Sequence, residues 1–135
     1  MIRRENRQKY EKIVEEILDL RELSEKIPIV VEGKNDEKAL RALGIRGTVL
    51  QISAGKPFYE FCEEISGKYR DVILFTDTDY EGQKIARKFK GHMSQSGVRV
   101  NDRFRSVLLG KLKTHHVEHM LSRLKRVKSN LTKFK

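Results

Sequence analysis

A chain of 135 residues has room for one domain with a real core but not for two. Its longest clean apolar run, Ile27 to Val31, excludes a membrane-spanning helix, its single cysteine, Cys62, excludes an internal disulfide, and its charged start does not read as a secretory signal, so a cytoplasmic protein is expected. The formal net charge of +10 is concentrated: residues 103–135 carry ten Lys/Arg against one acid, Glu118, a balance that suits a polyanion such as nucleic acid or, failing that, a solvated Lys-rich tail.

In chain order, residues 5–24 read as an amphipathic helix, with Tyr10, Ile13, Val14 and Ile17 at helical spacing. Pro28 permits an extended entry into "IPIVVEG", a β-branched strand ending at Glu32 and Gly33. "NDEKALRALG" follows as a helix, with Asn35 placed as its N-cap and Gly44 as its stop. "TVLQIS" is a second strand and "AGK" a turn. "PFYEFCEEIS" is a helix with Pro57 in its first turn, and "DVILFTD" is the third core strand. "EGQKIARKFKGHM" is a helix with Ile85, Ala86, Phe89 and Met93 on one face, "VRVNDRF" a last strand, and the chain from Ser106 mostly helical.

Strands alternating with helices predict an α/β, Rossmann-like fold: a mainly parallel sheet of about four strands flanked by helices, with extra N- and C-terminal helices. The continuous apolar run "VILF" fits a parallel strand buried on both faces. The expected organisation is an N-terminal helix (1–26) packed on an α/β core (27–104), with a basic helical segment (105–135), in one unit. The N-terminal helix is also a candidate surface for a protein partner.

Ligands of such sheets sit beyond the C-terminal strand ends, where Glu32 and Asp77 both fall. Alternate residues of an extended segment point the same way, so Asp77 and Asp79 can share a site, with Glu81 a third candidate from the turn. These carboxylates repel one another without a counter-ion. Hard oxygen donors of this kind suit Mg²⁺ or Mn²⁺, which bridge to phosphates. Gly33 and Gly82 each lie beside an acid, where a missing side chain permits close approach. The competing explanation is helix capping: Asp79 for the helix near Glu81, Asn35 or Asp36 for the one after Glu32. Capping does not account for Glu32 at the matching end of a second strand.

"IPIVVEGKND" followed by "DVILFTDTDYEGQKIARKF" resembles the Toprim domain, a hydrophobic strand ending in Glu-Gly and a later one ending in Asp-x-Asp, over roughly residues 27–104. The resemblance implies a Toprim-like fold, Glu32 as metal ligand or general acid/base, and Asp77 and Asp79 as the metal-binding pair. Glu81 matches an extra acid found in the topoisomerase variant. The chain is too short for a topoisomerase, and Tyr80, between the aspartates and Glu81, reads as a packing or wall residue. "VVEGKND", "ISAG", "TDTDYEGQKI" and "HHVEH" together resemble the small Toprim ribonuclease that matures bacterial 5S ribosomal RNA, which implies RNA rather than DNA as substrate.

"HHVEH" also fits the inverted zinc-protease pattern H-x-x-E-H. Read as a helix, it places Val117, Met120, Leu121 and Leu124 on one stripe and His115 and His119 opposite, near Arg123 and Arg126. That face would meet phosphates or simply solvent, and no third zinc ligand is evident. The sequence thus predicts Mg²⁺- or Mn²⁺-dependent phosphodiester chemistry on nucleic acid, most simply RNA cleavage. Glu32, Asp77 and Asp79 form the site in this reading, and Lys34, Lys84, His115, His119, Arg123 and Arg126 face the nucleic acid. The alternative is a non-catalytic nucleic-acid-binding or assembly module with a structural metal site.

Overall fold

In the computed structural model, which describes residues 2–132, the chain runs α1 (Ile2–Leu23), β1 (Ile29–Val31), α2 (Lys34–Ala42), β2 (Val49–Gln51), α3 (Phe58–Lys68), β3 (Asp71–Leu74), α4 (Tyr80–Gln95), β4 (Arg99–Asn101), α5 (Arg103–Lys111) and α6 (Met120–Thr132), with a 3₁₀ turn at Val117–His119 leading into α6. The four strands pair in the order β2-β1-β3-β4 and every pairing is parallel. The α/β fold expected from the alternation of strand and helix is therefore the fold observed.

Successive side chains of a strand point to opposite faces, and both faces here are covered. Ile29, Val31, Ile73 and Phe75 enter one apolar cluster with Ile13, Leu20 and Leu108 from α1 and α5. Val30, Val72 and Leu74 enter the other, with Phe61 and Ile65 of α3 and Phe89 and Met93 of α4. This explains why the run Val72–Phe75 is apolar without interruption. Each fully buried Ile, Leu or Phe stabilises the domain by about 1.5–3 kcal/mol relative to an exposed one.

Several boundaries differ from the sequence expectation for local reasons. Gly33, not Asn35, takes the N-cap position of α2, and its N–H donates to Asp36 Oδ2 at 3.1 Å. Pro57 is the residue before α3 rather than a member of its first turn. β4 ends at Asn101, whose side-chain oxygen accepts the Arg103 N–H at 3.0 Å and turns the chain into α5, so Phe104 is helical. Gly44 does stop α2, at φ +94°. No helix among the described residues is long and apolar enough to cross a membrane.

Candidate metal centre

β1 and β3 are neighbours, with Ile29 opposite Ile73 and Val30 opposite Leu74. Their ladder proceeds by alternate residues: Ile73 N–H donates to the Pro28 carbonyl at 2.9 Å and Phe75 N–H to the Val30 carbonyl at 2.8 Å. The next amide, Asp77 N–H, meets a side chain instead, donating to Glu32 Oε2 at 2.9 Å. The Glu32 carbonyl meanwhile accepts Ser53 N–H from beyond β2 at 3.0 Å. The two acidic motifs, 45 residues apart, are thereby joined by a hydrogen bond at one sheet edge.

The loop after β3 is held from below. Arg105 of α5 is only 2% exposed, and its Nε donates to the Thr76 carbonyl at 3.0 Å. Its Nη2 reaches the Asp77 carbonyl at 3.4 Å and also bonds Gln83 Oε1, while Nη1 lies 3.8 Å from Asp102 Oδ2. Gly82 is buried against the same loop. A Cβ there would stand 2.0 Å from the Asp77 carbonyl oxygen, so only glycine lets α4 begin this close to β3. Asp79 caps α4 as the competing explanation required, with Oδ1 accepting Gly82 N–H at 2.8 Å.

The cap uses one oxygen of Asp79. The other lies 3.7 Å from His116 Nδ1, which is also 3.3 Å from Asp77 Oδ2. One donor atom each from Asp77, Asp79 and His116 lie within 4.8 Å of one another, the group of three among the described residues with the spacing of a metal site. Charge crowding agrees. Burial, followed by the neighbouring Asp77, Asp36 and Asp79, pushes the Glu32 carboxyl up, against the opposing effect of the Asp77 N–H. Burial, then Asp77 and Glu118, pushes Asp36 up. The hydrogen bond to Asp77 raises the His116 imidazole, reinforced by Asp79 and Glu118. A set of carboxylates with one imidazole, short of positive charge, fits a divalent cation.

An open cleft of about 400 Å³ lies over this edge, lined by Glu32, Gly33, Lys34, Asp36, Asp77 and Glu118, among others. Lys34 is therefore at the site. Lys84 and Glu81 are exposed on α4, and Glu81 is not in the group of three. Tyr80 is 74% exposed, which corrects the packing alternative in its reading as a packing or wall residue. Gly33 is closely approached as well, since a Cβ there would meet Ser53 Oγ at 3.1 Å, a tight contact that the hydroxyl would have to relieve.

The histidines are arranged differently from the helical reading. Residues 115 and 116 are not helical, so no continuous helix face joins His115 to His119. His115 turns to Thr78, with Nδ1 3.0 Å from Thr78 Oγ1 and its carbonyl accepting Thr78 N–H at 2.9 Å. His119 lies on the 3₁₀ turn, 3.8 Å from Glu118. Arg123 and Arg126 lie on α6, half-buried and exposed respectively. Two members of the basic segment are engaged elsewhere: Arg105 under the loop, and Arg103 with Glu16 of α1 at 2.7 Å. Sequence reasoning missed His116. The available signal was Thr114, whose Oγ1 accepts His116 N–H at 3.2 Å, a local turn that competes with helix at this point.

Comparison with protein families matches the Toprim domain over residues 27–104. The chain is 41% identical over 75 residues to a UPF0292 protein of Thermoplasma volcanium, covering 56% of this chain and 63% of that one. It is 37% identical over 97 residues to a UPF0292 protein of Methanocaldococcus jannaschii, covering 71% of this chain and 75% of that one. Among solved structures it is similar to a protein from Aquifex aeolicus, with a TM-score of 0.69 and 37% identity over 78% of this chain and 94% of that one. His116 lies outside the matched domain.

Proposed function

We propose that this chain, which belongs to the Toprim domain family, performs divalent-metal-dependent phosphodiester chemistry on nucleic acid, with structured RNA as the substrate, in the cytoplasm. The observation that carries the reading is the Glu32–Asp77 hydrogen bond, which gathers the two acidic motifs at one sheet edge. Asp77 and Asp79 would hold Mg²⁺ or Mn²⁺, with Glu32 beside them. A bound ion supplies polarisation of a phosphoryl oxygen and neutralises the charge that develops there.

The chain's own residues set up the rest. Glu32, with its carboxyl raised by burial and by its acidic neighbours, is suited to take or give a proton at an attacking or departing oxygen. Arg105 fixes the loop that carries Asp77. The first amides of α2, with Lys34 at the cleft, suit an approaching phosphate. A second cleft, of about 480 Å³, is lined by Thr78, the residue after Asp77 in the chain, and by Gln83, Lys113 and His115, among others. Lys113 of this cleft also belongs to a basic group: burial, then Lys113 and Lys111, lowers the Lys9 ammonium, and a phosphate backbone would relieve that crowding.

The capping role of Asp79 favours the rival, a nucleic-acid-binding module whose acidic edge is structural. Incubation with structured RNA, single-stranded DNA and duplex DNA, each with Mg²⁺, Mn²⁺ or chelator, separates the two. Metal-dependent RNA cleavage, lost in Asp77→Asn and Glu32→Gln, is expected. Binding without cleavage favours the rival, and cleavage that survives both substitutions sinks the proposed site.

A further inference from the structure

We infer that His116 is a direct metal ligand through Nδ1, contributed from outside the Toprim segment, and that it makes this a mixed nitrogen–oxygen site that favours Mn²⁺-class transition ions over Mg²⁺. The inference rests on the metal site proposed above and adds its ligand set and selectivity.

The spacing fits coordination. Two donors each about 2.1 Å from one ion, subtending about 90–110°, stand about 3.0–3.4 Å apart. His116 Nδ1 lies 3.3 Å from Asp77 Oδ2 and 3.7 Å from Asp79 Oδ2, close to that separation. The remaining oxygens are occupied in ways that leave these two facing inward. Asp77 Oδ1 accepts Val117 N–H at 2.8 Å, and Asp79 Oδ1 accepts Gly82 N–H at 2.8 Å.

The imidazole is also fixed in place. The segment carrying it is tied to the β3–α4 loop on both sides of His116, by Thr78 N–H to the His115 carbonyl and by Val117 N–H to Asp77. Thr114 Oγ1 accepts the His116 N–H, and the His119 ring packs edge-on at 5.4 Å between centroids. A ligand held this way loses little freedom on coordination. Its chemistry decides the preference: first-row transition ions, with Mn²⁺ the weakest binder among them, accept an imidazole nitrogen more readily than Mg²⁺, which keeps to oxygen donors and water.

Pulsed EPR of Mn²⁺ bound to the full chain tests this, alongside Mn²⁺ and Mg²⁺ titrations by calorimetry. His116→Gln keeps a hydrogen-bond donor beside Asp77 but removes the imidazole. Coupling to a coordinated nitrogen is expected in the native protein and absent in His116→Gln. Mn²⁺ affinity should fall about 10–100-fold in the variant, with a much smaller change for Mg²⁺. A coupling that is missing from the native Mn²⁺ complex, or that persists in His116→Gln, overturns the inference and leaves the acidic site intact. Failure of the native chain to bind Mn²⁺ at all overturns both.

Discussion

The Glu32 side chain stands where the β1–β3 ladder calls for a backbone carbonyl, 2.9 Å from the Asp77 amide nitrogen. A group expected to handle charge is thus a member of the sheet's own hydrogen-bond register. That coupling of site and scaffold gives the first prediction.

Replacing Glu32 by Gln should preserve the bond, since an amide oxygen also accepts from Asp77 N–H, while removing a charge crowded by Asp77, Asp36 and Asp79. A carboxyl whose folded pKa is raised binds its proton more tightly when folded. Its contribution therefore makes stability fall as pH climbs from about 4.5, the ordinary value, through the folded value. Thermal melts of the metal-free protein should show a higher Tm for Glu32→Gln at pH 7 and a shallower decline across that window. Asp36, also raised, keeps the decline from vanishing. Equal melts at pH 7 would contradict the crowding.

Arg105→Met should cost about 3 kcal/mol in denaturant unfolding, because it leaves the Thr76 and Asp77 carbonyls without their buried donor, while Asp102 keeps Lys90 at 2.8 Å. Metal affinity should drop with it, as the loop loses its anchor.

Gly82→Ala should cost about 2 kcal/mol, since the added methyl would lie 2.0 Å from the Asp77 carbonyl oxygen and force α4 away from β3. Gly91→Ala, where nothing lies within 4 Å, is the matched control and should be neutral or stabilising in the same helix.

The Cys62 thiol is pushed up to about 11, chiefly by burial and secondarily by Glu63. Iodoacetamide at pH 8 should label the native protein roughly 100-fold more slowly than the urea-unfolded chain. Comparable rates would mean that α3 opens readily.

For nucleic-acid binding, Lys111→Gln with Lys113→Gln should flatten the plot of log affinity against log salt by about 0.7–0.9 for each phosphate that is no longer neutralised. Arg123→Ala with Arg126→Ala should flatten it likewise, and an unchanged slope would remove that part of α6 from the interface.

Much of this was legible in the chain. The apolar runs of β1 and β3 and the helical spacing of Ile13, Ile17, Ala86, Phe89 and Met93 follow from local periodicity, which burial then enforces. The meeting of Glu32 with Asp77 was readable because parallel strands put their C-terminal ends together. What escaped was non-local or rested on a few residues. Arg105 looked like one more basic residue in a basic segment, and only its place in α5 under the loop buries it. His116 was lost to an assumed helical phase that Thr114 and the Thr78–His115 hydrogen bond interrupt. Asn35 yielded its capping role to Gly33 because Asp36 reaches back to the Gly33 amide.

The Asp77 carboxylate is aligned by Val117 N–H, 40 residues later in the chain. During synthesis, the sheet edge and its aspartates emerge well before the segment that orients them. A nascent chain lacking residues 114–117 carries the acidic loop without its clasp. The arrangement of this acidic edge is therefore complete only once that later segment has emerged and docked.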